Sequence, residues 1–326
     1  MKSIAIYSGR ELVGDGLQKL PVVRAARALF PEHRITWLTS EETVYRTSLS
    51  PLVEGLLDDV RVCPALLHDK GDLFRRPPLQ ERFDILIDTQ TSLWRTLALR
   101  RIRHGLFVSS TARYLLSDRR PQNRSHRPRN VVQRLLLLLE LAAGKPAQFD
   151  GIALPVPDDL LAKAATVLPD GHCYLGLAPG AGWRAKCWPL ERFIAVGRWH
   201  VDCGGKAAFF VGPDEEEWLP EIRAALPQAL FPVQDMARLE PGFSPLCTIA
   251  LARRLNAALS NDSGVGHMLA ASDVPLLTLF GPTDPEKFEP VTRQGGTLCA
   301  RDFGDTAMAA IPTESVIKRL EAMLQR

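Results

Sequence analysis

The chain is poor in the features that commit a sequence to a metal, a disulfide framework or a membrane. Its six cysteines (Cys63, Cys173, Cys187, Cys203, Cys247, Cys299) are scattered, with no C-x-x-C pair and no short His/Cys cluster of metal-ligand spacing. Reduced thiols in cytoplasm are therefore expected. The most apolar run, Leu135 to Leu139, meets Glu140 at once and falls far short of the roughly 20 residues a span requires. No secretory signal is expected, because Met1-Lys2 leads straight into Ser3–Tyr7, which has the pattern of a buried strand. A Walker A loop and a G-x-G-x-x-G turn are both missing, which argues against P-loop and dinucleotide chemistry. No D-x-D element follows a strand candidate, so neither a metal nor a cofactor is expected. A formal net charge of +3 over 326 residues gives no reason to expect a nucleic-acid partner. Neither low-complexity tracts nor repeats of about 20–50 residues are visible.

What is present is ordinary globular material, 46% hydrophobic and 24% charged, long enough for two domains. Short apolar strands alternate with helical patterns, the signature of parallel α/β sheets. In the first half the strand candidates are Ser3–Tyr7, Arg34–Leu38, Asp84–Asp88 and Gly105–Val108, with helices over Pro21–Leu29 and Val131–Ala143. Gly144–Pro157, rich in proline and weak in periodicity, marks the boundary. The alternation then restarts with strands Tyr174–Ala178, Ala207–Val211, Ala257–Leu259 and Pro275–Phe280. Helices are expected over Pro189–Arg198, Leu219–Leu226, Val265–Ala271 and Thr313–Leu324. The expected domains are residues 1–150, residues 151–312 and a terminal helix at 313–326. Arginines crowd the first half at Arg95, Arg100, Arg101, Arg103, Arg113, Arg119, Arg120, Arg124, Arg127, Arg129 and Arg134. They read either as a solvated helical face or as a surface for an anionic acceptor or membrane head groups.

Three segments carry chemistry. Asn261-Asp262-Ser263-Gly264-Val265-Gly266-His267 leaves a strand and opens a helix, where free backbone N–H groups and the positive dipole end suit a phosphate. Asp262 or Ser263 as a simple helix cap, and His267 as a structural histidine, are the plainer readings. The next strand ends in a second bent turn, Gly281-Pro282-Thr283-Asp284-Pro285, so two strand ends face one crevice. Pro179-Gly180-Ala181-Gly182-Trp183-Arg184-Ala185-Lys186 follows the first strand of the second half. Its glycines permit close backbone approach, and Arg184 and Lys186 supply cations for a pyrophosphate leaving group. Gly14-Asp15-Gly16-Leu17-Gln18-Lys19-Leu20-Pro21 follows the first strand of all. It reads as a glycine-flanked turn whose Asp15 is either a general base or a helix N-cap.

Together these segments resemble glycosyltransferase family 9, the ADP-heptose:lipopolysaccharide heptosyltransferases. The match runs through Gly14-Asp15 and Pro21, through Pro179-Gly180-Ala181 with Lys186-x-Trp188-Pro189, and through Asn261–His267 with Gly281–Pro285. Weaker matches are Asp88-x-Gln90 and Met308-Ala309-Ala310-Ile311. The resemblance implies a GT-B fold of two Rossmann-like domains facing across a cleft, acceptor on the first and nucleotide sugar on the second, with the last helix crossing back. It implies a metal-independent inverting transfer to a glycan or glycolipid by a cytoplasmic protein in peripheral contact with the inner membrane surface. Asp15 would be the base, Lys186 would hold the diphosphate, and Asp262 the donor sugar. Gly180, Arg184, Ser263, Gly264, His267 and Thr283 would complete the donor site, with Glu215 on the ribose. Lys19 and Arg95 are assigned to the acceptor by position. Another nucleotide-sugar GT-B transferase, a nucleotide-sugar epimerase and a degenerate binding protein are the alternatives. Retention of Asp15 and Lys186 weighs against the last, and nothing in the sequence separates the donor bases or identifies the acceptor.

Overall fold

The structure, a computed structural model, describes residues 2–123, 128–147 and 153–324. Arg124 and Arg127 of the arginine-rich stretch, and part of the expected boundary segment, lie outside the described residues. The chain divides into two compact units, Met1–Asp150 and Gly151–Arg326.

The first unit runs β1 (Ser3–Tyr7), α1 (Val13–Leu29), β2 (Arg34–Thr39), α2 (Ser50–Val53), β3 (Asp59–Val62) and β4 (Phe83–Asp88). It continues with α3 (Leu93–Leu99), β5 (His104–Ser109), the single turn α4 (Thr111–Tyr114) and α5 (Val131–Ala143). Its strands form one parallel sheet in the order β3-β2-β1-β4-β5. β1 is apolar at nearly every position because both faces of a parallel sheet are covered, here by a core that includes Tyr7, Leu38, Leu86, Leu99 and Phe107. The order reverses between β1 and β4, so the loops leaving their carboxyl ends flank the crevice where such sheets bind ligands.

The second unit comprises α6 (Asp158–Val167), β6 (Tyr174–Ala178), α7 (Leu190–Asp202), β7 (Lys206–Phe209), α8 (Leu219–Ala225), α9 (Pro232–Leu239) and α10 (Pro245–Ala252). It ends with β8 (Ala257–Asn261), α11 (Gly264–Ala271), β9 (Leu276–Phe280), α12 (Pro285–Phe288), β10 (Gly295–Cys299) and α13 (Thr313–Leu324). The parallel sheet order is β10-β9-β8-β6-β7, with its reversal between β6 and β8. The terminal helix expected to cross back packs within the second unit, with Val316 and Leu320 in the core beside Leu259, Leu277 and Trp188.

Several elements differ from the sequence reading. The expected Gly14–Pro21 turn is helical: α1 starts at Val13 and carries Pro21 inside it. Proline forfeits one helical N–H, but Leu17, Leu20, Val22, Val23 and Ala26 are buried in a helix that packs on α5, and that burial outweighs the lost bond. The edge strands β3 and β10, Asp-Val-Arg-Val and Gly-Gly-Thr-Leu-Cys, are too short and mixed to stand out by pattern. Helix α10 is buried from Leu246 through Ala252, so it has no polar stripe from which a helical period could be read.

Candidate active site

In the second unit the site is assembled at the carboxyl ends of β6, β8 and β9. β8 delivers Asn261, fully buried, whose amide nitrogen donates to the Pro179 carbonyl at 2.7 Å and whose oxygen accepts from Trp188 N at 3.1 Å. One side chain thus locks the segment that carries Gly180 and Lys186 onto the adjacent strand end. Asn261 was part of the sequence pattern, but its role as this tie depends on contacts 73 and 82 residues away in the chain.

The next residue, Asp262, is buried, and a single oxygen, Oδ2, accepts from Lys186 Nζ at 2.8 Å and from Thr283 Oγ1 at 2.8 Å. Lys186, Asp262 and Thr283 therefore converge from three separate loops. Ser263 caps α11 by accepting from Gly266 N at 3.2 Å, and Gly264 and His267 lie in that helix's first turn, His267 N donating to the Ser263 carbonyl. The cap reading of Ser263 holds, and it places the positive end of the α11 dipole next to the Lys186 ammonium.

Gly180 passes close to a carboxylate. A Cβ built there would sit 2.3 Å from Glu215 Oε1, so a side chain at this position would push the Glu215 carboxylate aside. Glu215 accepts from Gly212 N at 3.2 Å; burial raises its pKa, Gly212's hydrogen bond offsets part of that, and Asp214 adds to the rise. The Arg184 guanidinium lies over the Trp218 ring at 4.5 Å and pairs with Glu217. The segment Met308–Ala310 supports the site from behind. Met308 packs where a Cβ on Gly281 would lie, and Trp188 Nε1 donates to the Ile311 carbonyl at 3.0 Å.

At the strand ends of the first unit, Asp15 is exposed in the first turn of α1, and its Oδ2 accepts from Leu12 N at 3.4 Å. Lys19 lies one helical turn further on, so the two share a face. Its ammonium donates to Ser8 Oγ at 2.9 Å and pairs with Glu11 at 3.2 Å. Glu11 is fully buried and also accepts from Trp37 Nε1 at 3.2 Å. Sequence reasoning missed Glu11, since a polar residue in a short loop carries no local sign of burial. Arg95 donates to Gln90 Oε1 at 3.4 Å and lies over the Trp94 ring. Gln90 in turn fills the space beside Gly9, where an added Cβ would be 3.2 Å from Nε2. The arginine thus stands at the β1/β4 reversal, and Lys19 at the end of β1.

Asp88, at the end of β4, has three donors: Thr96 Oγ1 at 2.6 Å, Gln90 N at 2.8 Å and Ser109 Oγ at 3.0 Å. Burial nevertheless dominates, and its carboxyl is pushed from an ordinary 3.8 up to about 6. The folded chain thus holds this proton more tightly than the unfolded chain. No penalty applies below the unfolded value; between about pH 4 and about pH 6 stability falls as pH rises, and the full cost, roughly 3 kcal/mol, applies above. Asp88→Asn is expected to flatten that slope. Urea midpoints measured across the interval check this, and an unchanged slope in the variant would count against it.

The comparisons bear on this arrangement. Lipooligosaccharide heptosyltransferase 2 of Haemophilus influenzae is 32% identical over 120 residues, 36% of this chain and 34% of that protein. The chain spans only about a third of the length of the first curated relatives it matches. A glycosyl transferase family 9 structure from Veillonella parvula shares the fold at TM-score 0.73 and 19% identity, covering 99% of this chain and 97% of that one. The structure of E. coli ADP-heptose lps heptosyltransferase II matches at TM-score 0.68 and 20% identity, covering 100% and 99%. Both are likenesses of fold. The model of glycosyltransferase family 9 (heptosyltransferase) matches residues 74–312, and with the motifs and the two parallel sheets already in place the chain belongs to that family.

Proposed function

We propose that the chain transfers a heptose from ADP-heptose to a glycan acceptor of the lipopolysaccharide inner-core type, with inversion at the transferred carbon. The observation that carries this reading is the junction of Lys186, Asp262 and Thr283 at the N-terminus of α11. A departing nucleoside diphosphate accumulates negative charge, and a partly buried ammonium beside a helix N-terminus stabilises that charge as it forms. Asp262 orients Lys186 in the donor-free protein and faces the donor sugar, with Thr283 holding its carboxylate in place. Glu215, against the Gly180 backbone, accepts ribose hydroxyls. On the first unit Asp15 takes the proton of the acceptor hydroxyl, and Lys19 and Arg95 bind the acceptor. Inversion follows from a single in-line displacement, in which the C–O bond to the diphosphate breaks as the acceptor oxygen bonds to the same carbon.

The choice of ADP-heptose over other donors is supported by family membership and by the name of the E. coli relative of like fold. The test is a product assay of the purified protein against ADP-, UDP- and GDP-sugars with extracted lipid A–core as acceptor; heptose transfer from ADP-heptose alone is the expected result, and transfer from another donor would replace the assignment. In this reading Lys186 and the α11 N-terminus supply the charge stabilisation that a divalent ion gives elsewhere. Turnover is therefore expected to persist in EDTA, and activity abolished by EDTA and restored by Mg²⁺ or Mn²⁺ would refute metal independence.

A further inference from the structure

The first unit contains a second ammonium held by a buried carboxylate. Glu11 is fully buried, yet only half of its carboxylate is satisfied. Oε1 accepts from both Lys19 Nζ and Trp37 Nε1, each at 3.2 Å, while Oε2 is buried with no hydrogen-bond partner among the described residues. Taking two charges out of water costs more than their attraction returns unless the remaining lone pairs are met, and an unmet carboxylate oxygen is among the more expensive groups to bury. As a device for stability the pair is therefore a poor one. What it accomplishes is placement.

The carboxylate is itself fixed from several directions. The Glu11 backbone pairs with Thr43 in a parallel bridge, and the Trp37 indole that donates to its side chain is fully buried in β2. Trp37 meets the Tyr45 ring edge-on at 5.3 Å, and Tyr45 Oη donates to the Gly16 carbonyl at 2.6 Å. Burial, then the charges of Glu11 and Asp15, hold the Tyr45 phenol well above its ordinary range, so it stays a donor. Gly16 follows Asp15 in the first turn of α1, so one chain of contacts joins the Glu11 carboxylate to the turn that carries Asp15. Lys19, on the same helix, spans Glu11 and Ser8 Oγ, the latter at 2.9 Å, at the carboxyl end of β1. The second unit repeats the construction, with buried Asp262 holding Lys186 at 2.8 Å. In both, the lysine side chain keeps some exposure, 14% at Lys19 and 25% at Lys186, so it is held without being sealed from solvent.

We infer that Glu11 is a positioning residue, whose charge fixes the Lys19 ammonium at the carboxyl end of β1, one helical turn from Asp15, where it receives the acceptor. This role rests on the assignment of Lys19 to the acceptor, and two measurements on the full chain keep the two apart. The first needs no sugar. Reductive methylation with formaldehyde and a borohydride modifies a lysine only after its ammonium has left its partner and lost a proton. The rate at Lys19, followed by mass spectrometry, therefore reports how firmly it is held. Glu11→Gln has the same shape without the charge and should raise that rate about tenfold. The second measurement is acceptor kinetics, in which Glu11→Gln should raise the acceptor KM about tenfold and leave kcat and donor Kd within a few-fold of wild type. Lys19→Gln should do the same. The double variant Glu11→Gln/Lys19→Gln should be no worse than Lys19→Gln alone, because a residue that acts through another then has nothing left to act on. Glu11→Asp keeps the charge on a shorter side chain and should fall between, which carries the same test should Glu11→Gln not fold. Unchanged methylation would overturn this role. So would additive effects of the two substitutions on KM, or a joint fall in Tm, kcat and donor affinity with the acceptor KM unmoved, since that would make Glu11 a structural residue only. A wild-type chain that transfers no sugar would sink the transferase reading, with the methylation rates still deciding whether Glu11 holds Lys19.

Discussion

Asp15→Asn is expected to lower kcat by about 10²–10⁴-fold while donor Kd and Tm stay near wild type. A sugar hydroxyl is a poor nucleophile until a positioned group takes its proton, and asparagine cannot take one. The substitution is otherwise conservative at this position. Asp15 is exposed in the first turn of α1, and an asparagine oxygen can still accept from Leu12 N as Oδ2 does at 3.4 Å. What the helix loses is a negative charge near its N-terminus, worth about 0.3–1 kcal/mol, which moves Tm only slightly. The two roles of Asp15 therefore separate in one experiment. Turnover within a few-fold of wild type would leave Asp15 as a helix-terminal residue and nothing more.

Lys186→Ala is expected to weaken binding of ADP by about 10- to 100-fold and to slow transfer as well. A phosphate loses a charge-assisted partner worth ~1.5–3 kcal/mol, and the diphosphate loses more as negative charge builds during departure. The same ammonium makes the 2.8 Å bond to buried Asp262, so the variant also leaves that carboxylate with Thr283 as its remaining side-chain donor. Calorimetric titration with ADP, run beside a thermal melt, distinguishes the two consequences. A drop in Tm with unchanged ADP affinity would make Lys186 a partner of Asp262 and remove it from the diphosphate. Lys186→Arg should recover part of the affinity, since it restores charge at the cost of a different donor geometry.

Much of the candidate site could be proposed from sequence because it is local. Gly180, Lys186, Asp262, Ser263 and His267 each sit within a few residues of a strand's end, and strand ends show in a sequence as apolar runs broken by glycine and proline. Their convergence was also predictable, because open parallel sheets place ligands at the carboxyl ends of strands beside the reversal of strand order. The contacts of Arg184 were not legible in that way. A cation in this loop looks no different from Lys186 until Trp218 and Glu217, more than 30 residues on, are seen to contact it. The first unit was harder to read for a related reason. The turn expected at Gly14–Pro21 proved helical, with Leu17, Leu20 and Val23 buried in a helix that packs on α5, over 100 residues away.

By itself the sequence determined the two parallel α/β units, most of their strands, and the three segments proposed to carry the chemistry, since apolar periodicity and turn residues act over short range. Tertiary structure alone decided that Asn261 ties two strand ends together, that Glu11 is buried beneath Lys19, and that Asp88 is buried deeply enough for its carboxyl to titrate near 6. It also decided that α13 belongs to the second unit's core and that α3 turns leucines outward. The physical reason is common to all of these: burial and charge compensation depend on which distant segments fold over a residue, and no window of neighbouring sequence contains those segments.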